Sequence, residues 1–99
     1  MKIQIAPERK GEEQYAEAFA ALAHVSRIKV FFYLVRAKRE VAVGSIQKAL
    51  NIPGPTLTHH LSLLRLAGLV QCRKEERFVY YWVNQHMVSE LVRVLTACC

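Results

Sequence analysis

Residues 41–83 read VAVGSIQKALNIPGPTLTHHLSLLRLAGLVQCRKEERFVYYWV. Apolar residues recur at helical spacing in two short stretches, 44–50 and about 53–67, which meet at Pro53-Gly54-Pro55. Proline is tolerated there because the first turn of a helix leaves its backbone N–H groups unpaired anyway. We therefore expect two helices joined by a tight turn.

A hairpin is predicted directly after the second of these helices. Gly68 ends the helix, and two segments rich in strand-forming residues follow at about 69–74 and 78–83. Val41-Ala42-Val43 is expected to add a short edge strand. Helix, turn, helix and hairpin in this order predict a winged helix-turn-helix, a mainly α fold with a small β-hairpin. Such a fold presents one helix and one basic ribbon to a DNA duplex.

The flanking segments predict three further helices, the second capped by Ser26 and the last by Asn84. Residues 1–11 contain proline, glycine and mixed charge, and we expect a flexible N-terminal arm there. Residues 12–99 then form a single winged helix-turn-helix domain. The three helices are predicted over about 12–24, 26–37 and from 84 to the C-terminus.

The charge distribution favours a polyanionic partner. The 99-residue chain has a formal net charge of +6, and ten basic residues but only three acidic ones lie between Arg27 and Arg77. Basic residues that neutralise phosphates release condensed counterions, which favours nucleic-acid binding. A solvated basic surface is the simpler explanation, so charge alone does not decide between them.

Composition also bears on the compartment. No window reaches the roughly 18 apolar residues of a membrane span, and no signal peptide is predicted. The three cysteines are odd in number and two are adjacent, which is not a disulfide framework. A reducing cytoplasm without a membrane partner is the expectation.

Four segments resemble the ArsR (ArsR/SmtB) family of bacterial repressors: LAHVSRIKVF, VAVGSIQKAL, GPTLTHHLSLLRLAGLV and RKEERFVYYWV. The resemblance covers about residues 19–99. Its most specific part is T-x-x-H-L-x-x-L-x-x-A-G-L-V followed by basic residues and V-Y-Y. It implies a homodimer joined through the first and last helices. Such a dimer would bind a palindromic double-stranded operator, without a cofactor, until an inducer releases it.

The helix over 53–67 supplies one set of candidate DNA contacts. Its hydroxyl and imidazole side chains can meet base edges or phosphates in the major groove, although a solvated polar face is the default for any amphipathic helix. His60 lies beside the apolar face and is expected to be a packed structural residue. The candidate contacts are Thr56, Thr58, His59 and Ser62.

The hairpin supplies the second set, Arg73, Lys74 and Arg77, which could reach phosphates or an adjacent minor groove. Two departures from the family pattern leave the operator sequence open. Pro53-Gly54-Pro55 replaces the usual Ser-Gln-Ser, and Glu75-Glu76 occupies a wing tip that commonly carries glycine.

The sequence lacks most of the ligands of the family's known inducer sites. The family's Cys-x-Cys pair would fall within 41–44, which has no thiol, and only His86 remains of a second, zinc-binding site. His86 and Glu90, at i and i+4, could ligate weakly, but an ion pair on the helix surface is the expectation. Cys98-Cys99 resembles members that sense trivalent arsenic or antimony near the C-terminus, and soft thiolates suit such ions. A third sulfur would come from Cys72, a partner cysteine or an external thiol.

Several alternatives stay open. Cys98 and Cys99 could pack as small apolar residues, or form a redox or persulfide switch. The domain could also be a protein-interaction module that does not bind DNA. An enzyme is not expected, because the chain has no aspartate, no glycine-rich phosphate loop and no Ser-His or Cys-His pair with an orienting acid.

Overall fold

The computed structural model describes residues 2–97, and for residues 2–10 it describes the helical backbone only. The predicted architecture is confirmed, with five helices, a hairpin and a short edge strand among the described residues. The helices are α1 (Lys2–Leu22), α2 (Val25–Ala37), α3 (Val43–Leu50), α4 (Gly54–Leu66) and α5 (Gln85–Thr96). The strands are β1 (Val41–Ala42), β2 (Val70–Glu75) and β3 (Phe78–Val83).

The three strands form an antiparallel sheet in the order β1-β3-β2. Because side chains alternate between the two faces of a strand, the buried Val70, Tyr81 and Val83 mark the inner face. Arg73 and Tyr80 are directly opposite each other and lie on the outer face. The hairpin is the wing of the predicted fold.

The core forms where α4 packs against α2 and the base of the wing. Helical spacing predicts that Leu57, Leu61 and Leu64 face the core from α4, and this is confirmed, since all three are fully buried. The same spacing predicts Ile28, Phe31, Phe32 and Val35 as the inward face of α2, which is partly wrong, because Phe32 is exposed while Val30, Phe31 and Leu34 are buried. The contacts of α2 with α4 and β3 select this face.

Two predicted helix starts are wrong. α1 begins at Lys2 rather than Glu12, since most of residues 2–10 are good helix formers, although Pro7 in the second turn removes a backbone hydrogen bond and is unfavourable there. The flexibility of residues 1–11 stays a prediction. The N-cap of α2 is His24 rather than Ser26, since His24 has extended backbone angles and its Nδ1 accepts from the Ser26 N–H at 3.2 Å.

Two other local predictions are confirmed. The side chain of Asn84 caps α5 by accepting from the Met87 N–H at 3.4 Å. Gly68 ends α4 with a φ of 83°, in the left-handed region that favours glycine.

No single helix among the described residues is long and apolar enough to cross a membrane. Residues 11–22 and 25–37 reach that length and composition only as a pair, and the two helices are bent by 103°.

Candidate nucleic-acid interface

The recognition helix, α4, turns a polar face to the outside. Thr56, Thr58 and His59 are exposed and Ser62 is half-buried, opposite the leucines that hold the helix on the core. Gly54, the first residue of α4, lies beside α3, where a Cβ would be in ordinary van der Waals contact with the Gln47 side chain at 3.5 Å. The structure therefore places all four predicted helix contacts on one accessible side. Their contact with DNA stays a prediction.

The wing brings one cation beside that helix. Arg77 and Thr58 line the same groove between the wing and α4, together with Val43 and Gly44 at the start of α3. The turn that places Arg77 there has Glu76 in the left-handed region, at a φ of 57°. A non-glycine residue pays a steric cost in that conformation. The sequence has Glu75-Glu76 where the family pattern commonly has glycine. The structure shows that Glu76 nevertheless adopts the left-handed conformation that glycine favours.

Arg73 has partners within the chain. Its Nε donates to Oε1 of Glu40 at 2.8 Å, and its Nη1 donates to Oε1 of Glu75 at 2.8 Å. The guanidinium also lies 4.6 Å from the centre of the Tyr80 ring. The carboxylates of Glu75 and Glu40 raise the pKa of Arg73 above its ordinary value. We call this group the Arg73 clip; it joins the outer face of the wing to the segment before β1.

The remaining wing cations differ from Arg73. Lys74 and Arg77 are exposed and form no ion pair among the described residues. Both therefore have a positive charge that is free to contact phosphate. The charge of Arg73, by contrast, is shared with two carboxylates. A DNA contact by Arg73 stays a prediction, and the alternation of the strand places its side chain on the face away from the core.

A histidine cluster lies behind the recognition helix. His60 is 6% exposed, so its prediction as a packed residue is confirmed. Its ring centre is 5.1 Å from that of His24 and 6.2 Å from that of His59. Burial, and then the neighbouring His24, Arg27 and His59, lower the pKa of His60. Sequence reasoning missed the role of His24, although its position directly before α2 was the available signal.

A polar bridge joins α1 to α5. The Tyr15 hydroxyl donates to Oε1 of Glu90 at 2.9 Å, and Nη2 of Arg93 donates to the same oxygen at 2.7 Å. The Arg93 hydrogen bond and then the Tyr15 hydrogen bond lower the pKa of Glu90. Glu90 therefore pairs with Arg93, whereas the sequence suggested a pair with His86.

The thiol site is described only in part. Cys72 is half-buried on β2, opposite Tyr81 in the sheet register. Burial, followed by Cys72, raises the pKa of Tyr81. Cys98 and Cys99 lie outside the described residues. Within the part of the chain that the structure describes, no three histidine, cysteine or acidic side chains converge as metal ligands would.

Comparison with known proteins agrees with this geometry. A family model for a helix-turn-helix domain matches residues 22–73. An uncharacterized HTH-type transcriptional regulator of Methanocaldococcus jannaschii is 31% identical over 83 residues, which cover 84% of this chain and 92% of that protein. A transcriptional repressor SmtB homolog of Synechocystis is 35% identical over 81 residues. The chain belongs to the ArsR family. It spans 60% of the length of that SmtB homolog.

A solved structure supports the same assignment. The solution structure of a homodimeric winged helix-turn-helix DNA-binding domain from Mycobacterium bovis, a possible ArsR-family regulator, has a TM-score of 0.73 and 27% identity. The match covers 92% of this chain and 82% of that one. The protein is thus an ArsR-family winged helix-turn-helix transcriptional repressor, and this is not a family of enzymes. Family membership disfavours the alternative of a module that does not bind DNA.

Proposed function

We propose that this ArsR-family repressor binds a palindromic operator as a homodimer and that a thiophilic inducer releases it. The observation that carries DNA binding is the shared groove of Thr58 and Arg77. It puts the polar face of α4 and a free cation of the wing side by side. A helix in the major groove and a flanking arginine on the backbone fit that surface. On this proposal the protein works in the cytoplasm, where the DNA is.

The dimer is argued from apolar surface that one chain leaves uncovered. On α1 Phe19 is exposed, and on α5 Val92 and Leu95 are 56% and 62% exposed. In a single chain these residues would remain in contact with water, at a cost of about 25 cal/mol for each Å² of apolar area. A second copy packed on α1 and α5 covers them. Two-fold symmetry then requires two matching half-sites in the DNA.

For the inducer we propose trivalent arsenic or antimony at Cys98 and Cys99, with Cys72, a partner cysteine or an external thiol as the third ligand. Soft thiolates favour such ions over harder metals. Two members of the bridge of Tyr15, Glu90 and Arg93 belong to α5, and they precede Cys98 by eight and five residues in the sequence. A ligand that reorders the end of α5 would therefore act on the contact between α5 and α1, and through it on the spacing of the two recognition helices.

Coupling between the two sites is reciprocal. If the inducer lowers operator affinity by some factor, DNA lowers inducer affinity by the same factor, typically about 5- to 150-fold. The test is a titration of arsenite against the protein bound to fluorescent operator DNA. We expect wild type to release DNA and the Cys98→Ser, Cys99→Ser double variant to retain it. The single variant Cys72→Ser is measured beside it, and its response decides whether Cys72 supplies the third sulfur.

The alternative inducer chemistry uses the same two cysteines as a redox or persulfide switch. Mass spectrometry of the thiols after arsenite, peroxide or polysulfide separates the two possibilities. Release by peroxide or polysulfide with covalent modification of Cys98 and Cys99, and none by arsenite, would replace the arsenic proposal with this one. Release of the double serine variant by arsenite would exclude the pair as the site.

A further inference from the structure

The junction between α2 and α4 is built from imidazoles. His24 caps α2 through its Nδ1, and its ring also lies 5.1 Å from the ring of His60 on the buried flank of the recognition helix. The first turn of α2 is thus held against the helix that faces DNA by contact between two titratable side chains. We call the contact between His24 and His60 the histidine latch.

Among the described residues, no acidic side chain acts on the pKa of His60. The groups that act on His60 are His24 and Arg27 from α2 and His59 from α4 itself. On α1, Glu17 lines the same groove as Arg27, but no ion pair joins them among the described residues. Every group that acts on His60 is therefore neutral or positive.

Two buried atoms of this junction also lack partners. Nδ1 of His60 and Nε of Arg27 are buried without a hydrogen bond among the described residues. A protonated imidazole carries N–H on both nitrogens. A proton on Nδ1 of His60 would therefore be a buried donor without an acceptor, and such groups cost about 1–3 kcal/mol or more when charged.

The helix dipole also acts against a charge on His60. Its ring lies next to His24, the N-cap of α2, and therefore near the positive end of the α2 dipole as well as beside Arg27. A proton on His60 would be repelled by both.

We propose that the histidine latch is acid-sensitive, and that mild acid opens it, loosens the packing of the recognition helix on the first turn of α2 and lowers DNA affinity independently of any inducer. This rests on the proposed DNA-binding function. Because the folded state lowers the pKa of His60, the closed latch keeps its full stability above the ordinary histidine pKa of about 6.5. That stability is lost as the pH falls from about 6.5 towards the lowered value.

General electrostatics predicts the opposite trend, which makes the proposal testable. Acid adds positive charge to a protein, and positive charge favours binding to phosphate. Without the latch, acid should therefore tighten binding.

The experiment uses a fluorescent duplex selected by the protein at pH 7.5 from a random-sequence pool. Its affinity is measured by anisotropy from pH 7.5 to 5.5 at constant ionic strength. We expect wild type to lose up to about tenfold in affinity between pH 6.5 and 5.5, the limit for one proton. A constant or rising affinity of the wild type would overturn the proposal.

Three variants locate the effect. His24→Asp keeps a good N-cap and places a carboxylate beside His60, which favours the protonated ring in the closed latch, so its loss of affinity should be smaller than that of wild type. His60→Leu removes the titrating ring and should abolish the loss. His86→Asn, outside the junction, should follow wild type. Parallel losses in wild type and His24→Asp would overturn the proposal even if His60→Leu fails to fold.

Thermal unfolding without DNA separates this proposal from DNA binding itself. The melting temperature of wild type should fall across the same pH window, and that of His24→Asp should fall less. If no duplex is selected at any pH, the proposed function fails while the melting curves still test the latch. Equal pH dependence of both melting curves would reject it.

Discussion

The recognition helix and the wing meet at one groove but are built in different ways. α4 rests on Leu57, Leu61 and Leu64, which are fully buried, and shows neutral hydroxyl and imidazole groups to the outside. The wing has little core of its own towards its tip, carries Glu75 and Glu76 there, and pairs Arg73 with two carboxylates. The helix is thus suited to distinguishing bases from a fixed position. On the proposed function, the wing would provide only a weak net attraction to phosphate, through Lys74 and Arg77.

The largest effect is expected when the support of the recognition helix is removed. Leu61→Ala should lower the free energy of unfolding by about 2–5 kcal/mol, because it leaves a cavity in the core. Leu66→Ala on the same helix, where the side chain is 71% exposed, should change it by no more than about 0.5 kcal/mol. Denaturant unfolding of both variants measures the difference. Similar values for the two would show that α4 is not anchored through its leucine face.

Next in size is the loss of base recognition. His59→Ala should reduce affinity for the selected operator by about 1–3 kcal/mol and reduce the preference over unrelated sequence. The measurement compares dissociation constants for the selected and a scrambled duplex. Ser89→Ala, at an exposed site on α5, is the control and should leave both unchanged. An equal loss on both duplexes would make His59 a phosphate contact rather than a base contact.

The two wing arginines should differ in how much they contribute to the salt dependence of DNA affinity. Arg77→Ala should weaken binding to all sequences and reduce the slope of log affinity against log salt by about one. Arg73→Ala should change that slope less, since its charge is shared with Glu40 and Glu75. Salt titrations of both variants test this. Equal slope changes would mean that DNA takes Arg73 from its carboxylates.

The smallest effect concerns the wing tip. Glu76→Gly removes a negative charge and relieves a left-handed backbone position, at a gain of up to about 1 kcal/mol in wing stability. Glu76→Gln removes the charge alone. Both should raise DNA affinity a few-fold, and only the glycine variant should slow amide exchange in β2 and β3. If the glutamine variant matches it in exchange, the backbone argument is wrong.

Patterns that are local in sequence were sufficient for much of the fold. The leucine spacing of α4, the strand-forming residues around Lys74 to Arg77, and Asn84 before α5 each act over a few residues. The inward face of α2 was not predictable in the same way, because contacts with α4 and β3 select it. Histidine is an uncommon N-cap, so the sequence favoured Ser26 rather than His24 as the cap of α2.

The candidate site divides along the same line. Helical periodicity was enough to place Thr58, His59 and Ser62 on the accessible side of α4. The pairing of Arg73 with Glu40 was not predictable, since the two residues are 33 positions apart in the chain. Nor could the sequence bring His24 to His60, because that contact depends on how α2 crosses α4. Interactions between distant elements are therefore what the structure adds.

The Arg73 clip has a consequence for how salt acts on this protein. Its ion pairs are exposed, so added salt screens them, with a Debye length of about 8 Å at physiological ionic strength. The same salt also weakens every phosphate contact by mass action on counterions. The wing therefore loosens under the same conditions that weaken its phosphate contacts. The slope of log affinity against log salt should then be steeper than the phosphate contacts alone would give. Added salt thus acts on this repressor in two ways: it competes for the DNA phosphates, and it weakens the ion pairs of the Arg73 clip.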